Sequence, residues 1–165
     1  MPLNPEDLRK ELPRLFQGKV LIVGIGNQLR ADDGFGPALI NKIKGKIKAE
    51  CLDAGLSPEN YMGSIVRFKP DVILLVDAVS MNEPVAAIRL IGEEQIPEYG
   101  FSTHNMSPKL MIENIKSQIK TKIFLLGIQP QSLEFGKDIS APLRKQLNLL
   151  GNIFMEILGN NEAGK

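Results

Sequence analysis

The sequence predicts an α/β fold: a mostly parallel sheet with helices on both of its faces. Three observations lead there. Short aliphatic and β-branched runs recur at 19–25, 71–76 and 122–128, and continuous apolar runs of this length mark strands buried on both faces. Between such runs lie segments with apolar residues at helical spacing, such as Leu39, Ile40, Ile43 and Ile47. The two patterns alternate along the whole chain, which is the order that right-handed βαβ crossovers produce. At 165 residues the chain has the size of one domain. With no linker or internal repeat, a single domain over 1–165 is expected.

The elements follow in order. Asn4-Pro5-Glu6-Asp7 supplies an N-cap, a proline at the first helical position and acids in the first turn. A short amino-terminal helix is expected within residues 1–16. Leu8, Leu12 and Leu15 lie on one side of it, and Pro13 kinks or ends it. After Gly18 comes the first strand, 19–25 (KVLIVGI), and then a loop rich in Gly and Asp up to Gly36. A helix is expected over 37–47 and a short second strand over 49–52, ending in Asp53-Ala54-Gly55. Ser57-Pro58-Glu59 reads as the start of a helix that runs to about Phe68. The third strand, 71–76 (DVILLV), ends at Asp77. Residues 86–91 alternate partially, as an edge strand does. Beyond a polar stretch, Ser107-Pro108 opens a helix to about Ile119. The last strand covers 122–128 and is closed by Gln129-Pro130. The final helix covers 141–158, and 159–165 reads as a frayed tail.

Composition removes several classes of function. A net charge of +1 argues against a general nucleic-acid binder, which carries a basic excess. Cys51 is the single cysteine, so an internal disulfide and a cysteine-rich zinc site are both excluded. Cys51 itself falls in a short buried strand and reads as core. The first residues, MPLNPEDLRKELPRLFQGK, carry early acids and no apolar stretch of signal-peptide type. No apolar run approaches the roughly 20 residues that span a bilayer. The expectation is a cytoplasmic protein without membrane attachment. The lysines within 41–48 (NKIKGKIK) read as a solvated helix face.

Three polar residues stand out because each lies at a strand end or in a loop on one expected rim: Asp33, Asp77 and His104. In open α/β sheets, ligands bind outside the carboxyl ends of the strands, where strand order reverses. If the first and third strands are neighbours, Asp33 and Asp77 face one crevice. Two carboxylates and an imidazole form a hard-to-borderline ligand set that suits nickel, zinc, cobalt, iron or manganese. Three protein ligands leave coordination positions open. Each residue also has a purely structural reading. One of Asp32 and Asp33 suits a helix N-cap, Asp77 a hydrogen-bond acceptor in its loop, and His104, the single histidine, a loop hydrogen-bonder. Ser107 or Thr103 beside His104 makes no triad by adjacency alone. Gly24 and Gly26 invite a dinucleotide reading, but the G-x-G-x-x-G pattern would need glycine where Leu29 stands.

The motifs carry a resemblance. GIGNQLRADDGFG at 24–36, VDA at 76–78 and STHNM at 102–106 closely resemble, in order and spacing, the signatures of the nickel-iron hydrogenase maturation endopeptidases. LDAGLSPEN at 52–60 and FLLGIQP at 124–130 are similar to the branch that serves formate-hydrogenlyase-type hydrogenases. The resemblance spans about 19 to 158 and leaves the amino-terminal helix unexplained. It implies a three-layer α/β sandwich, with a five-stranded, mostly parallel sheet between helices and an antiparallel fourth strand. It implies an endopeptidase that removes the C-terminal extension of the hydrogenase large-subunit precursor after nickel insertion. The metal-binding positions fall on Asp33, Asp77 and His104, and Asp53 matches an acidic position with a catalytic or supporting role. The nickel is then chiefly the substrate's own, held weakly by the free protein and used for recognition. The partner is that precursor, with no nucleic acid. A chaperone that checks nickel and cleaves nothing is the alternative reading.

Overall fold

A computed structural model describes residues 2–99 and 106–159 of the protein. The elements run α1 (Pro5–Leu15), β1 (Val20–Ile25), α2 (Phe35–Ile43), β2 (Glu50–Gly55), α3 (Met62–Phe68), β3 (Val72–Ala78), β4 (Ile88–Gly92), α4 (Pro108–Gln118), β5 (Lys122–Ile128) and α5 (Ala141–Leu158). Short 3-10 turns stand at Ala31–Gly34, Pro58–Tyr61 and Ile96–Glu98. The five strands form one sheet in the order β2-β1-β3-β5-β4. The pairs within β2-β1-β3-β5 are parallel, and β4 runs antiparallel to β5. Every residue of β1 and β3 is buried, as the apolar runs of both strands require, and the burial extends to Asp77 within β3.

One apolar cluster covers each face of the sheet. On one face α1, α2 and α5 pack Leu8, Leu12, Phe35, Leu39 and Phe154 over Val20, Ile22, Leu74 and Val76. On the other, α3 and α4 pack Ile65, Met111 and Ile115 over Leu21, Val23, Ile73 and Leu75. Burying a side chain of the size of Phe35 or Phe154 is worth about 1.5–3 kcal/mol.

Several boundaries differ from the expected ones. Pro13 does not end α1, which continues to Leu15. Pro13 is exposed, so the missing amide falls on the solvated side. The helix expected over 37–47 begins at Phe35 and ends at Ile43, because Gly45 takes φ +80 and turns the chain. Ile47 remains buried and bridges to Gly159, so Lys44 and Lys46 lie on that turn instead of a helix face. Gly159, expected to begin a frayed tail, is thus held, and 160–165 lie outside the described residues. β3 runs on through Asp77 to Ala78, which places Asp77 inside the strand, paired with Gly127.

The amino-terminal helix is tied to the body. Asn4 accepts from the Asp7 amide at 2.8 Å and Asp7 accepts from the Asn4 amide at 3.1 Å, a reciprocal cap. The Leu3 amide donates to the Ile88 carbonyl at 2.7 Å, and Arg9 pairs with Glu156 of α5 at 2.9 Å. Among the described residues no helix is long and apolar enough to cross a membrane.

Candidate functional site

The site is built where β1 gives way to α2. Gly26 has φ +143, and a Cβ there would overlap the Asp33 carbonyl oxygen. α2 then lies directly on the sheet. A Cβ on Gly24 would stand 2.5 Å from the Gly36 carbonyl oxygen, and one on Gly36 would stand 2.5 Å from the Ile25 carbonyl oxygen. These glycines therefore serve a close approach of helix to strand, with no phosphate cradle between them. Asn27 closes the loop: its amide donates to Asp33 Oδ2 at 3.0 Å, and its Oδ1 accepts from the Leu29 amide at 2.9 Å.

Asp33 is 4% exposed and Asp77 fully buried. The turn Ala31–Gly34 lies against β3, and β1 and β3 are neighbours. The chain leaves β1 for β2 on one side, while β3 continues the sheet on the other, so strand order reverses between β1 and β3. The two carboxylates are therefore brought to one rim at the reversal, where open α/β sheets bind ligands.

Neither aspartate is an N-cap, contrary to one reading of the sequence: the turn and α2 have Arg30 and Gly34 at their caps, with no side-chain cap bond. Asp32 instead accepts four hydrogen bonds from the segment that follows β5. Its Oδ2 takes the amides of Gln131 and Ser132 at 2.8 and 3.1 Å and the Ser140 hydroxyl at 2.9 Å, and its Oδ1 takes the Ser140 amide at 2.7 Å.

Asp53 stands at the same rim on β2, opposite Gly24 in register. It is exposed, and its Oδ1 accepts from the Gly55 amide at 3.0 Å. It shares strand parity with Cys51, toward the α2 and α5 face, whereas Asp77 shares parity with Ile73 and Leu75 on the other. His104 and Thr103 lie outside the described residues. β4 is antiparallel to β5 and ends at the opposite rim, so strand order alone does not bring His104 to the rim of Asp77 as expected. Three residues join α4 to β5, so α4 starts at the rim where β5, and with it β3, ends. Among the described residues no three His, Cys, Asp or Glu side chains group to hold a metal.

Ser107 Oγ accepts from the Leu110 amide at 3.1 Å as the N-cap of α4. Cys51 is buried, and burial pushes its thiol up to about 11, the reverse of an activated thiolate. A cleft of about 790 Å³ beside Asp71, Lys120 and Lys122 opens at the amino ends of β3 and β5, the rim away from Asp77.

Fold and rim together define an open, doubly wound α/β protein with two buried carboxylates at the rim where its strand order reverses. The chain belongs to the hydrogenase maturation protease family, whose HycI model matches residues 37–157. That match includes Asp53 and Asp77 and begins just after the loop that carries Asp33. The hydrogenase 3 maturation protease of Escherichia coli is 34% identical over 127 residues, covering 75% of this chain and 81% of that protein. A putative hydrogenase maturation protease of Methanocaldococcus jannaschii is 29% identical over 161 residues, covering 89% of this chain and 92% of that protein. The crystal structure of the nickel-iron hydrogenase maturation protease HycI from Thermococcus kodakarensis superimposes with a TM-score of 0.79 at 29% identity, over 89% of this chain and 97% of the other. Membership places the protein among the endopeptidases.

Proposed function

We propose that the protein is a cytoplasmic endopeptidase that removes the C-terminal extension of a nickel-iron hydrogenase large-subunit precursor once nickel is in place. The observation that carries this reading is the pair of buried carboxylates, Asp33 and Asp77, on one rim at the strand-order reversal. With His104 they form a ligand set suited to a borderline divalent ion. The ion belongs to the substrate, where the precursor's own thiolates anchor it. The three side chains then grip a nickel that arrives with its peptide, and binding energy is used to set the scissile bond in register. Without a thiolate among them, the three hold nickel weakly in the free protein. Asp53, exposed at the same rim, is the carboxylate we assign to proton transfer as the peptide bond is hydrolysed.

The test presents purified precursor loaded with iron alone, or with iron and nickel, and follows the C-terminal peptide by mass spectrometry. Release is expected from the nickel-loaded precursor only. Efficient release from the nickel-free form overturns the gating, and tight binding without release from either form replaces the protease with a nickel-checking chaperone.

A further inference from the structure

The two carboxylates sit on different pieces of chain, and one segment fastens both. After β5, the Gln129 side chain reaches back toward the loop that follows Asp77: its Oε1 accepts from the amides of Met81 at 2.7 Å and Glu83 at 3.3 Å. The backbone of the same residue is also engaged there, the Gln129 amide donating to the Ala87 carbonyl at 2.9 Å and its carbonyl accepting from the Ala86 amide at 2.8 Å. A few residues on, Gln131, Ser132 and Ser140 converge on Asp32, the neighbour of Asp33. The backbone adds three more ties to that loop. The Asp32 amide donates to the Ser132 carbonyl and the Ala31 amide to the Lys137 carbonyl, each at 3.0 Å, and the Gly136 amide donates to the Leu29 carbonyl at 2.8 Å.

We propose that 129–140 is a strut, and that Asp32 and Gln129 are positioning residues that set the span between Asp33 and Asp77. This rests on the reading of those two carboxylates as nickel ligands. The chemistry of the contacts supports the assignment. Asp32 faces four donors and is fully buried, so it serves as an acceptor hub for a loop that has no regular structure of its own. Gln129 presents a neutral acceptor to two amides that a strand no longer pairs. Both side chains are taken up by these bonds, and we give them no place among the ligands. What they determine is where the ligands stand, and ligand placement governs affinity for a metal bound by few groups. Here the orientation passes through the backbone next to each ligand, and loss of groups that orient metal ligands typically changes affinity or activity by roughly 10–100-fold.

The experiment compares Gln129→Met, Gln129→Glu, Asp32→Asn and Ser140→Ala with the parental chain and with Asp33→Ala. Each is titrated with nickel ions alone and assayed on nickel-loaded precursor, at a temperature where circular dichroism shows it folded. Gln129→Met keeps the length and loses the acceptor, and Asp32→Asn turns an amide toward amide donors. Both should weaken nickel binding and slow cleavage about tenfold or more, while Gln129→Glu, which keeps an acceptor, should retain most of both. Folded Gln129→Met and Asp32→Asn proteins with parental nickel affinity and rate would overturn the strut. Should either fail to fold, Ser140→Ala, which deletes one bond to Asp32, decides: parental affinity and rate count against the proposal, and a loss of both supports it. Parental behaviour of Asp33→Ala would instead overturn the ligand assignment itself.

Discussion

Asp32 and Asp33 are adjacent in sequence and do different work. Asp32 accepts four hydrogen bonds from the β5–α5 segment, while Asp33 accepts from the Asn27 amide at the rim. On the proposed function, Asp33→Ala, Asp77→Ala and His104→Ala each lower precursor cleavage by about 100-fold or more, the scale of losing alignment at a reacting centre. Asp33→Glu is milder, since it keeps the carboxylate and changes only its reach. Rates on nickel-loaded precursor check this, and a parental rate for any alanine variant removes that residue from the site. Cys51 bears on stability instead. Its thiol ionises near 9 in the unfolded chain and near 11 in the folded one. Stability from this group is therefore complete below pH 9 and is lost as pH rises toward 11, by on the order of 2 kcal/mol. Urea titrations at pH 8 and pH 10.5 should show a smaller fall in Cys51→Ala than in the parental protein.

At the scale of elements, the approach of α2 to the sheet decides where Asp33 stands. A methyl group on Gly36 meets the backbone carbonyls of Ile25 and Val76, which cannot swing aside as a side chain can. Gly36→Ala should therefore lower stability by about 1–3 kcal/mol, a fall in Tm of roughly 2–12 °C for a chain of this size, and should displace the start of α2 and slow cleavage. Gly45 offers the contrast. It has positive φ and open space, so Gly45→Ala carries only the left-handed backbone term of about 1–2 kcal/mol and leaves cleavage intact below its Tm. Thermal melts with precursor assays separate the two. The glycine spacing was legible in the sequence, but its meaning was not: the same letters fit a phosphate loop, and only the packing of Gly24 against Gly36 shows a helix seated on strands. α1 runs on past Pro13, whereas α2 stops short of Gly45. Whether a proline breaks a helix depends on which side meets solvent, and whether a helix ends depends on where the chain must go next.

Across the whole molecule, alternating apolar runs were enough to read the α/β class, and the short motifs carried the family. Strand order, and with it the placing of Asp33 and Asp77 on one rim, could be stated only as a condition, because no local pattern says that β1 lies between β2 and β3. The role of Asp32 was hidden for the same reason: its partners stand about a hundred residues away. The GIQP run could be matched to relatives without disclosing that Gln129 binds the loop beyond Asp77.

That separation in sequence has a temporal consequence. A growing chain emerges from the ribosome amino end first, and a chain that has reached residue 99 already contains Asp33 and Asp77. It lacks β5, the strand that pairs with β3 along its full length, and it lacks Gln131, Ser132 and Ser140, which hold Asp32. Parallel strands joined over such intervals pair late. The rim that carries Asp33 and Asp77 is therefore fully tied down only when the last third of the polypeptide has been made and docked. On the proposed function, a nascent fragment of that length carries Asp33, Asp53 and Asp77 without His104 and without the strand and segment that align them, so the order of synthesis itself delays activity until the fold is complete.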